Sequence, residues 1–548
     1  MVVGPLVEPS SGSDGIIGAL AGFLYRYLLL FDQSSSTWAG IIASGDDDGI
    51  SRGLAMAVVR WRQSLNGVHT WLGLLCGWWL FFMFVTGTLG YLDVQLDHWL
   101  QPKLVSQRSL PAEQMLPEVE RHLQQQSAQQ WRVQLPVGQQ RPFYEVDWRA
   151  EERQSAILQA IDGDWQWLPT PQWGGQWLYQ LHYRFHYLGR DVARTLACIL
   201  SAWLLLVLIS GIVVHKKILQ EMLLLRSDKG LRSWLDGHNL LAVTALPFYL
   251  VMAYSGLLFY GSSVWPGTVA AGFDFAEDAR SQYFAGVRQP VPESTELLPA
   301  EGISLLQLYQ QARQHWGRHG VSDIRLDWST GMARLSGPDE GIVRGGSLAY
   351  VDLSTGEWLP QEVGMPWGQT LQQALFGLHE GLFAAPWLRF LYVLAGVLGC
   401  ILIASGHVIW LRKRERRRDR WWYLVRVLNL ASFAGLPAAI ACFLLLLRGA
   451  EVSLHIAQDG LFVAWLLLTV AAVRCPPASL YGLAALAWWM VALIDWWQAP
   501  WSCWQALVRL DGDWLAVQLL AWLAALALSV IAWQHRRQSV KGDQSCLA

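Results

Sequence analysis

Apolar runs of membrane length dominate this chain. They lie near residues 68–92, 190–214, 238–260, 386–411, 423–447, 456–473, 479–497 and 514–534. Crossing a bilayer takes about 20 mostly apolar residues as helix, and lipid forces each run to satisfy its own backbone polar groups, which selects helices. The chain is 53% hydrophobic and 15% charged, against about 25% charged in soluble proteins. These numbers predict a multi-pass α-helical membrane protein of eight spans. A net charge of −2 offers nothing to nucleic acid. The seven cysteines form neither C-x-x-C nor C-x-x-C-H, which excludes zinc ribbons, thioredoxin chemistry and covalently attached haem.

Loop charge gives an orientation. Arg60 and Arg62 precede the first run, "HKK" follows the second, "RKRERRRDR" the fourth, Arg474 the sixth and "HRR" the eighth. All fall on one side, and the positive-inside bias makes that side cytoplasmic, with both termini there. Two polar segments, about 93–185 and 261–378, then face the other side. They share landmarks: "LPAEQMLPEVERHLQQQ" and "LPAEGISLLQLYQQARQHW" read as amphipathic helices, and "ILQAIDGDWQWLP" and "LAYVDLSTGEWLP" read as strand, tight turn, strand. Each segment is expected to be a small α+β module.

The unit of span, outer module, span therefore occurs twice, an internal two-fold repeat in the first four spans. His69 matches His238, Thr86-Gly87 matches Ser255-Gly256, "LISG" ending at Gly211 matches "IASG" ending at Gly406, and His182 matches His379. The expected organisation is a leader or mis-assigned start at 1–57, a first unit at 58–217, a basic loop at 218–237, a second unit at 238–412, a basic linker at 413–422, a four-span Trp-rich bundle at 423–534 and a tail at 535–548.

Ionisable residues at membrane depth are costly and usually functional. His69, His215, His238 and His407 lie towards the cytoplasmic ends of the first four spans; His182, His186 and His379 lie towards the outer ends. Zinc prefers four ligands, and only Asp191 and Glu380 supply carboxylates near the outer group. Haem needs one imidazole above and one below, which facing helices of two matched halves supply. Two haems of b type follow, one near each face. The outer pair is His182 with His379. At the inner site His69 with His238 is symmetric, His215 competes, and His407 has no counterpart and reads as a packed histidine. His186 is a substitute for His182 or a propionate contact. Gly73, Gly77, Gly87 and Gly211 would let helices approach a flat cofactor. From His379 to His407 a continuous helix spans roughly 42 Å, a long gap that Trp78, Trp79, Phe81, Phe84 or Trp203 would have to bridge.

At these residues the chain resembles the PepSY-associated transmembrane family. The likeness rests on Ser210–Tyr260, on "LNGVHTWLGLLCGWWLFFMFVTGTLGYL", on the "LH" before the second and fourth spans, and on "VDLSTGEWLP". It covers about residues 58–415. The resemblance implies two periplasmic PepSY-like modules and a di-haem reductase of the bacterial inner membrane that releases iron from a ferric siderophore, with histidines carried over to His69, His182, His238 and His379 and with His215 matching the "HKK" form. The four spans after Arg420 depart from compact members. A quinol or a cytoplasmic reductase is the expected donor, since no G-x-G-x-x-G fingerprint appears. The chelate is expected between the two outer modules. Two alternatives stand beside this: a haem-free, membrane-anchored PepSY module that binds protein, and a siderophore permease, which the scarcity of polar residues in the spans disfavours.

Overall fold

In the computed structural model the chain is described for residues 48–102, 111–126, 128–136, 143–161, 164–171, 173–215, 226, 230–272, 274–287, 303–317, 320–338, 341–345, 347–360 and 367–546. Residues 1–47 of the expected leader at 1–57, and most of the expected basic loop at 218–237, lie outside these residues, while 48–57 are helical. Helix α1 (Asp48–Gly90) carries the first apolar run. A short helix α2 (Asp93–Leu100) and an amphipathic helix α3 (Ala112–Gln125) lead to strands β1 (Gln130–Gln134), β2 (Tyr144–Arg149), β3 (Arg153–Ile161) and β4 (Asp164–Pro169). Helix α4 (Gly174–Arg184) then meets the second apolar helix, α5 (Arg190–Val214).

The third run departs from expectation. It is two helices, α6 (Leu231–Thr244) and α7 (Leu246–Val264), bent by 65°. Pro247 near the start of α7 has no N–H to donate, and its ring clashes with the carbonyl four residues back, so a continuous helix across 238–260 fails there. Short helices α8 (Pro266–Gly272) and α9 (Ala279–Val287) follow. Helix α10 (Leu305–Trp316) opens with a capping box between Ser304 and Gln307. Strands β5 (Asp323–Asp327), β6 (Met332–Ser336), β7 (Leu348–Asp352) and β8 (Trp358–Pro360) precede helix α11 (Trp367–Glu380) and the fourth apolar helix, α12 (Pro386–Lys413).

The two outer segments, each expected as a small α+β module, share one sheet. All eight strands form one antiparallel sheet in the order β4-β3-β2-β1-β5-β6-β7-β8. The halves meet where β1 pairs with β5, Arg132 opposite Arg325 and Val133 opposite Ile324. One face buries Val133, Val146, Leu158, Ile324, Leu335 and Val351 against Leu116, Val119, Leu305 and Leu308 of α3 and α10. The other face is polar. Like charges directly opposite are destabilising, and Asp323 offsets this at the seam by accepting from Arg132 at 2.8 and 2.9 Å and from Arg325 at 3.1 Å. Two of the turns repeat: in "DWSTG" and "DLSTG" the Asp327 and Asp352 carboxylates accept the N–H of Ser329 and Ser354, and Gly331 and Gly356 take φ of 68° and 72°, a conformation open to glycine at no steric cost.

After α12, helices α13 (Arg420–Leu430) and α14 (Leu436–Arg448) are joined by a π turn at Ala431–Gly435; Pro437, which cannot donate, follows it. Helices α15 (Leu454–Arg474), α16 (Pro477–Gln498), α17 (Pro500–Arg509) and α18 (Gly512–Cys546) complete the bundle. Among the described residues seven helices are long and apolar enough to cross a membrane, or eight with the bent pair as one span. The bundle is pinned to the first half by polar contacts. Asp495 is buried and accepts from Arg448 at 2.9 Å, Trp99 at 2.6 Å and Trp514 at 3.1 Å, while His98 of α2 pairs with Asp513 at 2.7 Å.

Candidate functional site

Each of four histidines rests on a Ser-Gly or Thr-Gly step of a neighbouring helix. His69 of α1 lies on Gly211 of α5, and His238 of α6 lies on Gly406 of α12. His182 of α4 lies on Gly87 of α1, and His379 of α11 lies beside Gly256 of α7. A methyl group at Gly87 would stand 2.8 Å from His182 Nδ1, and one at Gly211 would stand 3.1 Å from His69 Cε1. These are places where only the missing Cβ lets a ring in. Of the glycines expected to let helices approach a flat cofactor, Gly87 and Gly211 seat these imidazoles and Gly77 seats His407, whereas Gly73 has open space.

The same steps fix the tautomer. His182 Nδ1 is 2.7 Å from the Met83 carbonyl and His69 Nδ1 is 3.0 Å from the Val207 carbonyl. Carbonyls only accept, so Nδ1 carries the proton in both. His238 Nδ1 is 2.9 Å from Ser405 Oγ and His379 Nδ1 is 2.7 Å from Ser255 Oγ. Both hydroxyls already donate, Ser405 to Leu402 and Ser255 to Val251, so both accept from the imidazole. In all four rings Nε2 keeps its lone pair. This outer hydrogen bond is how proteins orient a metal-binding histidine.

The rings meet two by two. His69 and His238 have centroids 6.4 Å apart with planes at 84°; His182 and His379 have centroids 6.3 Å apart with planes at 52°. A metal–imidazole bond is about 2 Å and the ring centre lies about 1.2 Å behind the nitrogen, so two imidazoles on opposite sides of one ion have centroids about 6 to 6.5 Å apart. Both spacings fit that arrangement. A direct imidazole–imidazole hydrogen bond would not use them, since each Nδ1–H is already committed. Burial holds the His182 imidazole below its usual value, and burial together with His182 lowers that of His379 to about 3; both rings are neutral and fit to ligate. The outer pair lines a cavity of 560 Å³, within the about 300–1,000 Å³ usual for cofactor pockets, together with Phe248, Phe259, Arg184, Arg190 and Arg194.

The remaining histidines stand apart. His407 is 2% exposed; its Nδ1 is 2.9 Å from Asn429 Oδ1, which also accepts from Trp78, and its Nε2 side is covered by Gly77. No flat cofactor fits there. His215 caps the end of α5 and faces none of the other six rings. Helix α4 stops at Arg184, and Phe185 and His186 take φ of 50° and 45°, so His186 is not one helical turn beyond His182. It stacks on Phe462 at 5.4 Å and borders the outer cavity. Among the described residues no group of three or more His, Cys, Asp or Glu is set to hold a metal ion; Glu380 is paired with Arg344 at 3.0 Å.

The gap between the pairs is shorter than expected. Along α1 from His69 to Gly87, where His182 sits, is roughly 27 Å, not the 42 Å reckoned to His407. Phe84 and Tyr249 fill the interval, 5.8 Å apart and pressed on Gly399. Trp79 and Trp203 are 47% and 37% exposed and face outward, and Phe81 and Trp78 turn to the C-terminal bundle. Sequence reasoning missed Tyr249, which is 1% exposed, and the hydrogen-bonding role of the Ser-Gly steps, although their repetition was the signal.

A Pseudomonas aeruginosa protein described as uncharacterized is similar to this chain, 28% identical over 338 residues that cover 56% of this chain and 83% of the relative. The four paired histidines lie within residues 67–413, the stretch that matches the family described as the PepSY-associated TM region, and with more than half its length in that match the chain belongs to this family of multi-pass membrane proteins.

Proposed function

We propose that the protein carries electrons across the bacterial inner membrane to a ferric chelate, such as a ferric siderophore, on the periplasmic side. The observation that carries this reading is the pair of facing imidazole couples, 6.4 and 6.3 Å apart, each ring with Nδ1 committed and Nε2 free. His69 with His238 would hold one haem b, and His182 with His379 a second. When bound, haem supplies reversible one-electron transfer. The protein's own contribution is to fix the rings, to make room through Gly87, Gly211, Gly256 and Gly406, and to offer Arg184, Arg190 and Arg194 to propionate carboxylates at the outer cavity. Two imidazoles per iron leave no open position, which suits electron transfer rather than oxygen activation.

The two halves, each an apolar helix, a helix-and-four-strand unit and a second apolar helix, act in this reading as a two-fold repeat with periplasmic PepSY-like modules. A quinol or a cytoplasmic reductase is the donor. Reduction to Fe(II) weakens the grip of hard oxygen ligands and frees the iron. The test is a reduced-minus-oxidised spectrum with haem quantification on purified protein. Two haems per chain are expected, with about half lost in His379→Ala. A sample without a Soret band, or a His379→Ala variant with unchanged haem, rejects the reading.

A further inference from the structure

The outer cavity has a polar neighbour. A second cavity of 340 Å³ lies between α4 and the first turns of α15, and the two share Arg184 and His186 as a wall. Its far side is His455, Gln458 and Asp459, residues beyond the stretch 67–413 matched to the family. Gln458 is 5% exposed and lines this cavity, yet its amide makes no hydrogen bond among the described residues. Its amide N–H groups and carbonyl are therefore open to a polar group in the cavity. His186 accepts from Trp177 Nε1 at Nδ1, 3.4 Å, which leaves its proton on Nε2 as a donor. Asp459 accepts from Tyr187 at 2.7 Å through one oxygen and keeps the other for a ligand donor.

The wall therefore offers a guanidinium, an imidazole N–H and an amide to oxygen acceptors, and one carboxylate to a hydroxyl or amide donor. We infer that this cavity seats an arm of the ferric chelate, an oxygen-rich hydroxamate or hydroxycarboxylate complex, against Arg184, His186, Gln458 and Asp459. The inference rests on the electron-transfer reading and gives the substrate a place one shared wall from the outer imidazole pair.

The gallium(III) complex of a trihydroxamate matches the ferric complex in charge and shape and is not reduced. Its binding to the full-length protein in detergent is followed by tryptophan fluorescence, with haem absorbance read on the same samples. Saturable binding is expected. Gln458→Leu and Asp459→Ala should each weaken it about tenfold, ~1.4 kcal/mol, while Arg325→Ala on the sheet binds like the unaltered protein. Equal binding by the first two variants, loss only on Arg325→Ala, or no saturable binding overturns the inference. So does binding that persists in zwitterionic nanodiscs but is abolished by anionic lipid, which would assign the cavity to a headgroup phosphate. A missing Soret band in the unaltered protein fails the electron-transfer reading; an intact band with gallium binding unaffected by the cavity variants fails this inference alone.

Discussion

Alanine at Gly87 should empty the outer site while leaving the helix that bears it sound. The new methyl would stand 2.8 Å from His182 Nδ1 and 2.9 Å from its Cε1. Comfortable contact is about 3.5–4.0 Å, so the ring must withdraw by roughly 0.7–1.2 Å. Withdrawal breaks the 2.7 Å bond to the Met83 carbonyl, worth about 0.5–1.5 kcal/mol, and stretches a couple whose 6.3 Å spacing already matches two metal bonds. Gly73→Ala is the control. It lies on the same helix with nothing within 4 Å, and an open helical Gly→Ala stabilises by roughly 0.5–1 kcal/mol. The assay is haem per chain by pyridine haemochrome, with circular dichroism to confirm folding. Gly87→Ala is expected to keep about half the haem of the unaltered protein with full helicity, and Gly73→Ala to keep all of it. Full haem and an unshifted spectrum in folded Gly87→Ala would refute the argument that this glycine seats an iron-ligating imidazole.

Three further outcomes follow from the same geometry. Asp97 caps α4, the helix of His182, by accepting from the N–H of Gly175 at 2.6 Å and Gln176 at 3.0 Å; Asp97→Ala should cost about 1 kcal/mol and lower the thermal midpoint. Burial pushes the Asp97 carboxyl up from 3.8 to about 7, so its contribution is full at acid pH and is lost as pH rises through about 7; the midpoint should fall over that range, and Asp97→Asn should flatten the profile. At the sheet seam burial would raise the Asp323 carboxyl, but Arg325 and Arg132 outweigh it and hold it below its usual 3.8. That stability is present above about pH 4 and is lost as pH falls further; Asp323→Asn should destabilise the outer unit by roughly 1–3 kcal/mol, measured as faster proteolysis. His407→Gln should keep the full haem complement, because that imidazole bonds Asn429 and lies under Gly77; loss of haem there would show that it ligates.

Much of this architecture was legible from local pattern. Apolar run length located the membrane-length helices, and "DGDWQWLP" and "LSTGEWLP" located two hairpins. The equal offset from His69 to His238 and from Thr86 to Ser255 anticipated helices that face each other, and the structure brings His69 to His238 and His182 to His379. The rest depended on contacts between distant segments. Strands β1 and β5 are five residues each with alternating polar positions, and their pairing with each other joins residues up to 197 positions apart, which no local pattern announces. The bend in the third run had its signal in Pro247, but hydropathy alone does not register a missing N–H. Nothing in the sequence announces that α15 begins beside α4, which is what brings His455 and Asp459 into one cavity wall with Arg184 and His186.

The seam between β1 and β5 also bears on synthesis. Gln130 and its partner Asp327 are 197 positions apart, so at about 5–20 residues per second roughly 10–40 s pass between their emergence from the ribosome. Throughout that interval the inner border of the first four strands is an unzipped template, open to pairing with any neighbouring chain. The outer borders are guarded differently: β4 and β8 each end in proline, at Pro169 and Pro360, which cannot extend a ladder. A newly made chain is thus most exposed to misassociation while its second half is still being threaded into the bilayer.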